Sequence, residues 1–157
     1  MDFLIKEAAR RHLKILFNPA PMTPDVEKMD LNAVTFLAVN EHECAQLLHT
    51  ESHDPQELCT RFHARCPETT LLLTLGDKGA VMENGTTLFV PARKVCATDT
   101  TGAGDTWIGY FADGYRRSLP WSSAMKRAAA AAALSVQKAG AASSIPSHEE
   151  VGQFMDM

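Results

Sequence analysis

The residues of this chain most able to do chemistry together are Asp99-Thr100-Thr101-Gly102-Ala103-Gly104-Asp105-Thr106. An apolar run, Trp107-Ile108-Gly109-Tyr110-Phe111-Ala112, follows and reads as the start of a helix. A small-residue turn at a helix N-terminus leaves backbone N–H groups unpaired, and the helix dipole helps them bind anions, phosphate above all. Gly102 and Gly104 carry no side chain to block a close approach. Asp105 would repel a phosphate unless it is there to accept a proton. The pairing of carboxylate and anion hole therefore points to phosphoryl transfer to a hydroxyl, with Asp105 as general base. A P-loop is excluded because no Gly-Lys-Ser/Thr triplet occurs. A dinucleotide fingerprint is excluded because Trp107 stands where a third glycine or alanine belongs. Taken alone, Gly-x-Gly-Asp is equally well read as an ordinary helix start with an acid in its first turn.

The elements that must position this turn alternate. Phe3 to His12 has helical spacing, and Leu13 to Phe17 reads as a strand stopped by Asn18-Pro19-Ala20-Pro21. Ala33 to Val39 is nearly all apolar, as a strand covered on both faces should be. A helix to about Leu48 follows, with Asn40 and Glu43 spaced as N-cap and capping-box partner. Pro55 to Cys66 reads as a helix and Thr70 to Leu75 as a third buried strand, ended by Gly76-Asp77-Lys78-Gly79. Asn84-Gly85 between Ala80–Glu83 and Thr87–Val90 predicts an antiparallel hairpin. Lys94 to Ala97 is a further run of strand type. Beyond the central turn, one helix should end near Arg116-Arg117. A second should open at Leu119 to Ser123 with a serine cap, run through Ala128–Ala133, and close on a Gly140 C-cap. His148 to Phe154 reads as a closing helix. The pattern predicts an α/β fold: three α/β/α layers on a mainly parallel sheet with an antiparallel edge hairpin.

Composition narrows the function. At 157 residues with 45% hydrophobic content, the chain can bury its own core and reads as a single α/β domain over 1–157. A net charge of −4 without a basic stripe argues against nucleic acid as partner. Charged residues interrupt every apolar stretch, so no membrane span is expected, and the N-terminus lacks the pattern of a secretory signal. Cytoplasmic residence is the expectation. The four cysteines form no Cys-x-x-Cys, and the enzyme-like pattern favours free thiols. Cys59, His63 and Cys66 fall on one helical face, but without a second ligand pair a helix stripe is the simpler reading than zinc. His42, His49 and His53 are expected to be solvated.

The string Asp-Thr-Thr-Gly-Ala-Gly-Asp-Thr resembles the signature of the ribokinase-like carbohydrate kinase family. Asn18 to Pro21, Asn40-x-x-Glu43, Thr74-Leu75-Gly76-Asp77-Lys78-Gly79 and the Gly-Ala-x-x-Ser at Gly140–Ser144 resemble other family segments. The resemblance covers the family's nucleotide-binding C-terminal portion, without its N-terminal substrate and lid region. It implies ATP-dependent phosphorylation of a sugar hydroxyl, D-ribose first, with Asp105 as base and the N–H groups of Gly102, Ala103 and Gly104 on the moving phosphoryl. It implies ATP contacts at Asn40, Thr74 to Gly79, Gly104, Asp105 and Ala128, with Ala128 giving the adenine an apolar neighbour. Asn40 and Glu43 would organise hydrated Mg²⁺. A K⁺ site would draw on the Asp99 carboxylate and the carbonyls of Thr101, Ser135, Lys138 and Gly140, with Ser144 nearby. The partners implied are the sugar and ATP, with room for a homodimer in the complete enzyme. Two alternatives stay open: a relative acting on adenosine, fructose or another nucleoside or sugar, and a nucleotide-binding fragment without catalytic activity.

Overall fold

A computed structural model describes residues 1–156. Contacts divide the chain into two units: Met1–Leu75 with Val81–Phe89, and Gly76–Ala80 with the chain from Val90 onward.

The first unit opens on helix α1 (Asp2–Arg10), which buries Ile5. Strand β1 (Leu16–Phe17) lies parallel to β2 (Phe36–Asn40), and β2 lies parallel to β3 (Thr70–Thr74), with Leu37 opposite Leu71 and Asn40 opposite Thr74. Strand β1 is shorter than the Leu13–Phe17 run because it is an edge strand. Only Leu16 and Phe17 pair in register, while the Ile15 carbonyl accepts the N–H groups of Thr35 and Phe36. Helix α2 (Glu41–Leu47) follows β2 directly, and α3 (Pro55–Arg65) precedes β3. Leu37, Val39, Leu71 and Leu73 form one core with Cys44 and Leu47 of α2 and Leu58 and Phe62 of α3. Phe36, Ala38 and Leu72, pointing the other way, are also buried, as the unbroken apolar runs require.

Strands β4 (Gly79–Glu83) and β5 (Thr87–Pro91) complete the sheet in the order β1-β2-β3-β4-β5. The links from β3 to β4 and from β4 to β5 are too short for a crossover, so both neighbours run antiparallel. Gly85 takes the turn with φ 91°, and the buried Glu83 carboxylate accepts the Gly85 N–H at 2.7 Å and the Thr87 hydroxyl at 2.5 Å.

In the second unit, α4 (Ala103–Arg116) packs on α5 (Trp121–Ser135). Close approach is set by Gly114, whose missing Cβ would lie 2.8 Å from Ala124 Cβ. Ala128 to Ala131 and Ala133 are buried, as the alanine run predicts. Helix α6 (His148–Met155) starts on a Ser147–Glu150 capping box and buries Val151.

Three local expectations are corrected. Helix α5 is entered from Pro120 without a serine side-chain cap. It ends at Ser135 with Val136 as C-cap, not at Gly140, because the Val136 carbonyl is taken by the N–H groups of Thr98 and Asp99. Lys94 to Ala97 is no strand, since no neighbour pairs with it.

Candidate active site

Gly102 is the N-cap of α4 and has φ 76°, a left-handed conformation. A Cβ here would sit 3.2 Å from both Cα and Cβ of Ala141, so the turn also needs glycine for contact with the loop after α5. The Ala103 N–H donates to the Thr100 carbonyl at 3.2 Å, and the Thr106 N–H to the Gly102 carbonyl at 2.9 Å. Among the described residues, the N–H groups of Gly102, Gly104 and Asp105 have no partner. The open N–H groups are therefore those of Gly102, Gly104 and Asp105, not the expected Gly102, Ala103 and Gly104, because the Ala103 N–H is taken by the Thr100 carbonyl. Space beside Gly104 is open: a Cβ there meets nothing within 4 Å. Asp105, in the first turn of α4, is exposed.

Asp99 binds the turn to the loop after α5. Its Oδ1 accepts the Thr101 N–H and its Oδ2 the Gly140 N–H, each at 2.9 Å. The Gly140 amide first, then Thr101, hold its carboxyl down at about 2, so it is ionised at neutral pH. Gly140 (φ 95°) cannot take a side chain easily, since a Cβ would lie 2.5 Å from the Ser143 hydroxyl. The Ser135 carbonyl accepts the Lys138 N–H at 3.1 Å, and buried Ser144 donates its hydroxyl to the Ala141 carbonyl at 2.8 Å. Both oxygens of the Asp99 carboxylate thus face backbone N–H groups, and the Ser135 carbonyl is engaged by Lys138.

A cleft of about 570 Å³ opens within the second unit. Its walls are Gly76, Asp77 and Gly79, the segment Ala92 to Val95 with Ala97, and Thr100, Ala103 and Trp107 of the turn. Ala129, Ala132, Ala133 and Val136 complete it. These four recur at helical intervals and present one apolar face of α5 and its C-cap. Ala128, expected beside the adenine, is fully buried and not part of this wall, because it lies one position off that face. Of Thr74 to Gly79, only Gly76, Asp77 and Gly79 line the cleft; Thr74 and Leu75 belong to the first unit, and Leu75 is core. Gly79 has φ 128°, and a Cβ would lie 2.2 Å from the Val90 carbonyl oxygen. The Ala92–Ala97 wall escapes sequence reasoning because an unpaired extended run looks like a strand. The sequence places Trp107 at a helix start and Ala129, Ala132 and Ala133 in a helical alanine run, without marking which face of it meets the cleft.

Asn40 and Glu43 belong to the first unit, where both halves of the capping box form. The Asn40 N–H reaches Glu43 Oε2 at 2.9 Å, and the Glu43 N–H reaches Asn40 Oδ1 at 2.8 Å. Glu43 Oε1 is left over, and one carboxylate oxygen suits a Mg²⁺ that keeps its water shell, not a caged ion. No group of three or more His, Cys, Asp or Glu among the described residues could hold a metal. Cys59 and Cys66 are buried as the helix-stripe reading has it. Burial pushes the Cys44 and Cys59 thiols up to about 12. His49 is paired with Glu27 at 3.0 Å, and the His42 and His53 rings meet edge-on.

A mainly parallel sheet, and a glycine-rich helix start with open N–H groups next to an apolar cleft, are features shared by the class of α/β proteins that bind phosphate groups. The chain matches the model of the pfkB family carbohydrate kinases over residues 2–148, and it belongs to that family. It is 38% identical to a ribokinase of Lactococcus lactis over 88% of this chain and 44% of that protein. It is 33% identical to a deoxyribokinase of Salmonella typhi over 96% of this chain and 51% of that protein. A crystallised Arabidopsis thaliana ribokinase complexed with ribose and ATP superimposes with a TM-score of 0.87 at 26% identity, covering 98% of this chain and 51% of that one. The chain thus spans about half the length of the relatives it matches, and its fold is the three-layer α/β/α one expected.

Proposed function

We propose that this chain carries the nucleotide-binding and proton-accepting part of an ATP-dependent kinase for a sugar hydroxyl, D-ribose first. The observation that carries this reading is the start of α4: unpartnered N–H groups of Gly102, Gly104 and Asp105, with the Asp105 carboxylate in the same turn. The adenine would lie in the cleft against Ala129, Ala132, Ala133 and Val136, its ring edge near Gly76 and Gly79. The acceptor hydroxyl would lose its proton to Asp105 as the phosphoryl group moves onto it, with the N–H groups taking up the charge that develops on the phosphoryl oxygens. Glu43 and Asn40 would hold hydrated Mg²⁺, which when bound neutralises phosphate charge. The Asp99 carboxylate and the carbonyls of Thr101, Ser135, Lys138 and Gly140 would hold K⁺. Cytoplasmic residence goes with this reading.

The choice of ribose rests on Asn18 to Pro21 and on the relatives named ribokinase. The deoxyribokinase relative supports 2-deoxyribose as a second acceptor. A coupled ATP assay over a panel of ribose, deoxyribose, fructose and nucleosides decides between them. For the mechanism, Asp105→Asn should lower kcat by about 10²–10⁴-fold, the usual worth of a general base, while ATP binding is retained. Near-normal turnover by this variant would remove Asp105 from the base role.

A further inference from the structure

Arg93 has two engagements at once. It lines the cleft between Ala92 and Lys94. Its guanidinium also grips the end of α6: Nη1 donates to the Phe154 carbonyl at 3.2 Å, Nη2 to the Met155 carbonyl at 3.4 Å, and Cζ stands 5.2 Å from the centre of the Phe154 ring. Carbonyls in the last turn of a helix lack intrahelical partners and carry the negative end of its dipole, so a planar cation with two forward donors suits them. Beside Arg93 the Ala92 N–H donates to the Lys78 carbonyl at 3.2 Å, and the far end of the segment is tied by the Thr98 and Asp99 N–H groups to the Val136 carbonyl at 2.7 and 3.1 Å. Between these ties, Lys94 to Ala97 has no strand partner. Helix α6 is itself anchored, by Val151 in the core and by Glu150 to Lys138 at 2.9 Å.

We propose that Arg93 is a positioning residue for the nucleotide. By clamping the end of α6 it holds the Lys94–Ala97 run, which no strand pairs, in its ATP-binding position, so α6, which contributes no residue to the cleft, sets nucleotide affinity. This rests on the cleft being the ATP site. Phe154 is the discriminating position, because it touches Arg93 and does not line the cleft. Phe154→Leu keeps an apolar side chain and removes the ring face; Arg93→Ala removes the clamp.

Calorimetric titration of ATP with Mg²⁺ should show Phe154→Leu binding about two- to fivefold more weakly, the range of one exposed cation–π contact, and Arg93→Ala about three- to tenfold more weakly, since it also loses the two hydrogen bonds to the α6 carbonyls. The double variant should be no weaker than the weaker single, since both remove one coupling. Amide exchange at Val95 to Ala97 should quicken in both, with urea midpoints recorded to show that each variant folds. If Phe154→Leu binds ATP like the unaltered protein while Arg93→Ala does not, Arg93 acts on the nucleotide directly and the clamp is refuted. Additive losses would refute it too. If the unaltered protein takes up no ATP, the functional reading falls and the proposal falls with it. Unchanged exchange at Val95 to Ala97 with normal ATP binding sinks the clamp alone.

Discussion

Gly79→Ala isolates the cost of the backbone that shapes the cleft. Gly79 opens β4 with φ 128°, where an L side chain is strained, and that strain costs about 1–3 kcal/mol. The new Cβ would also stand 2.2 Å from the Val90 carbonyl oxygen and 2.8 Å from Ala92 N and Pro91 Cα, all backbone atoms that no rotamer change can move away. Forced overpacking adds about 1–3 kcal/mol. Together these predict a loss of about 2–6 kcal/mol, against a total of about 5–15 for a domain. Urea unfolding followed by far-UV circular dichroism reads it. Gly109→Ala is the control: Gly109 sits inside α4, and a Cβ there meets nothing within 4 Å. That substitution should stabilise by about 0.5–1 kcal/mol. Because Gly79 and Ala92 both line the cleft, Gly79→Ala should also weaken ATP binding, whereas Gly109→Ala should not. A Gly79→Ala midpoint within error of the unaltered protein would refute the reasoning, as would an equal loss at Gly109.

Asp99 should titrate near pH 2 in the folded protein, against an ordinary 3.8. Its folded value is depressed, so the stabilisation is present above about pH 4 and is lost as pH falls through about 2; the Gly140 amide resonance, followed by NMR, should move with that midpoint, and a midpoint near 4 would contradict the bond. Activity of the kinase should be higher in K⁺ than in Na⁺, and Asp99→Asn should erase the difference; equal rates in K⁺, Na⁺ and a bulky organic cation would remove the cation site. A thiol reagent at pH 8 should modify exposed Cys96 quickly. Cys44, Cys59 and Cys66, buried and with raised thiol pKa, should react only on unfolding; fast labelling of Cys44 or Cys59 in the folded protein would contradict their burial.

The features legible in the sequence are those decided within a few residues of chain. The Gly102–Asp105 turn must use glycine and must leave N–H groups open, because a helix start always does. Asn40 with Glu43 closes its capping box three residues apart. Asn84-Gly85 makes its hairpin for the same local reason, and the unbroken apolar runs of β2 and β3 declare burial on both faces. Tertiary structure decided what depends on distant neighbours. Lys94 to Ala97 has a strand's composition, yet no strand reaches it, and it becomes a wall of the cleft. Whether Gly140 caps a helix or gives its N–H to Asp99 depends on a segment far away in the chain, which also takes the Val136 carbonyl and so ends α5 earlier. The alanine run offered several faces, and only tertiary packing buried Ala128 and left Ala129, Ala132 and Ala133 to line the cleft. Which amides of the turn stay free was settled by the Thr100 carbonyl, whose position follows from Asp99 and its bonds to Thr101 and Gly140, a long-range contact that spacing in the sequence does not encode.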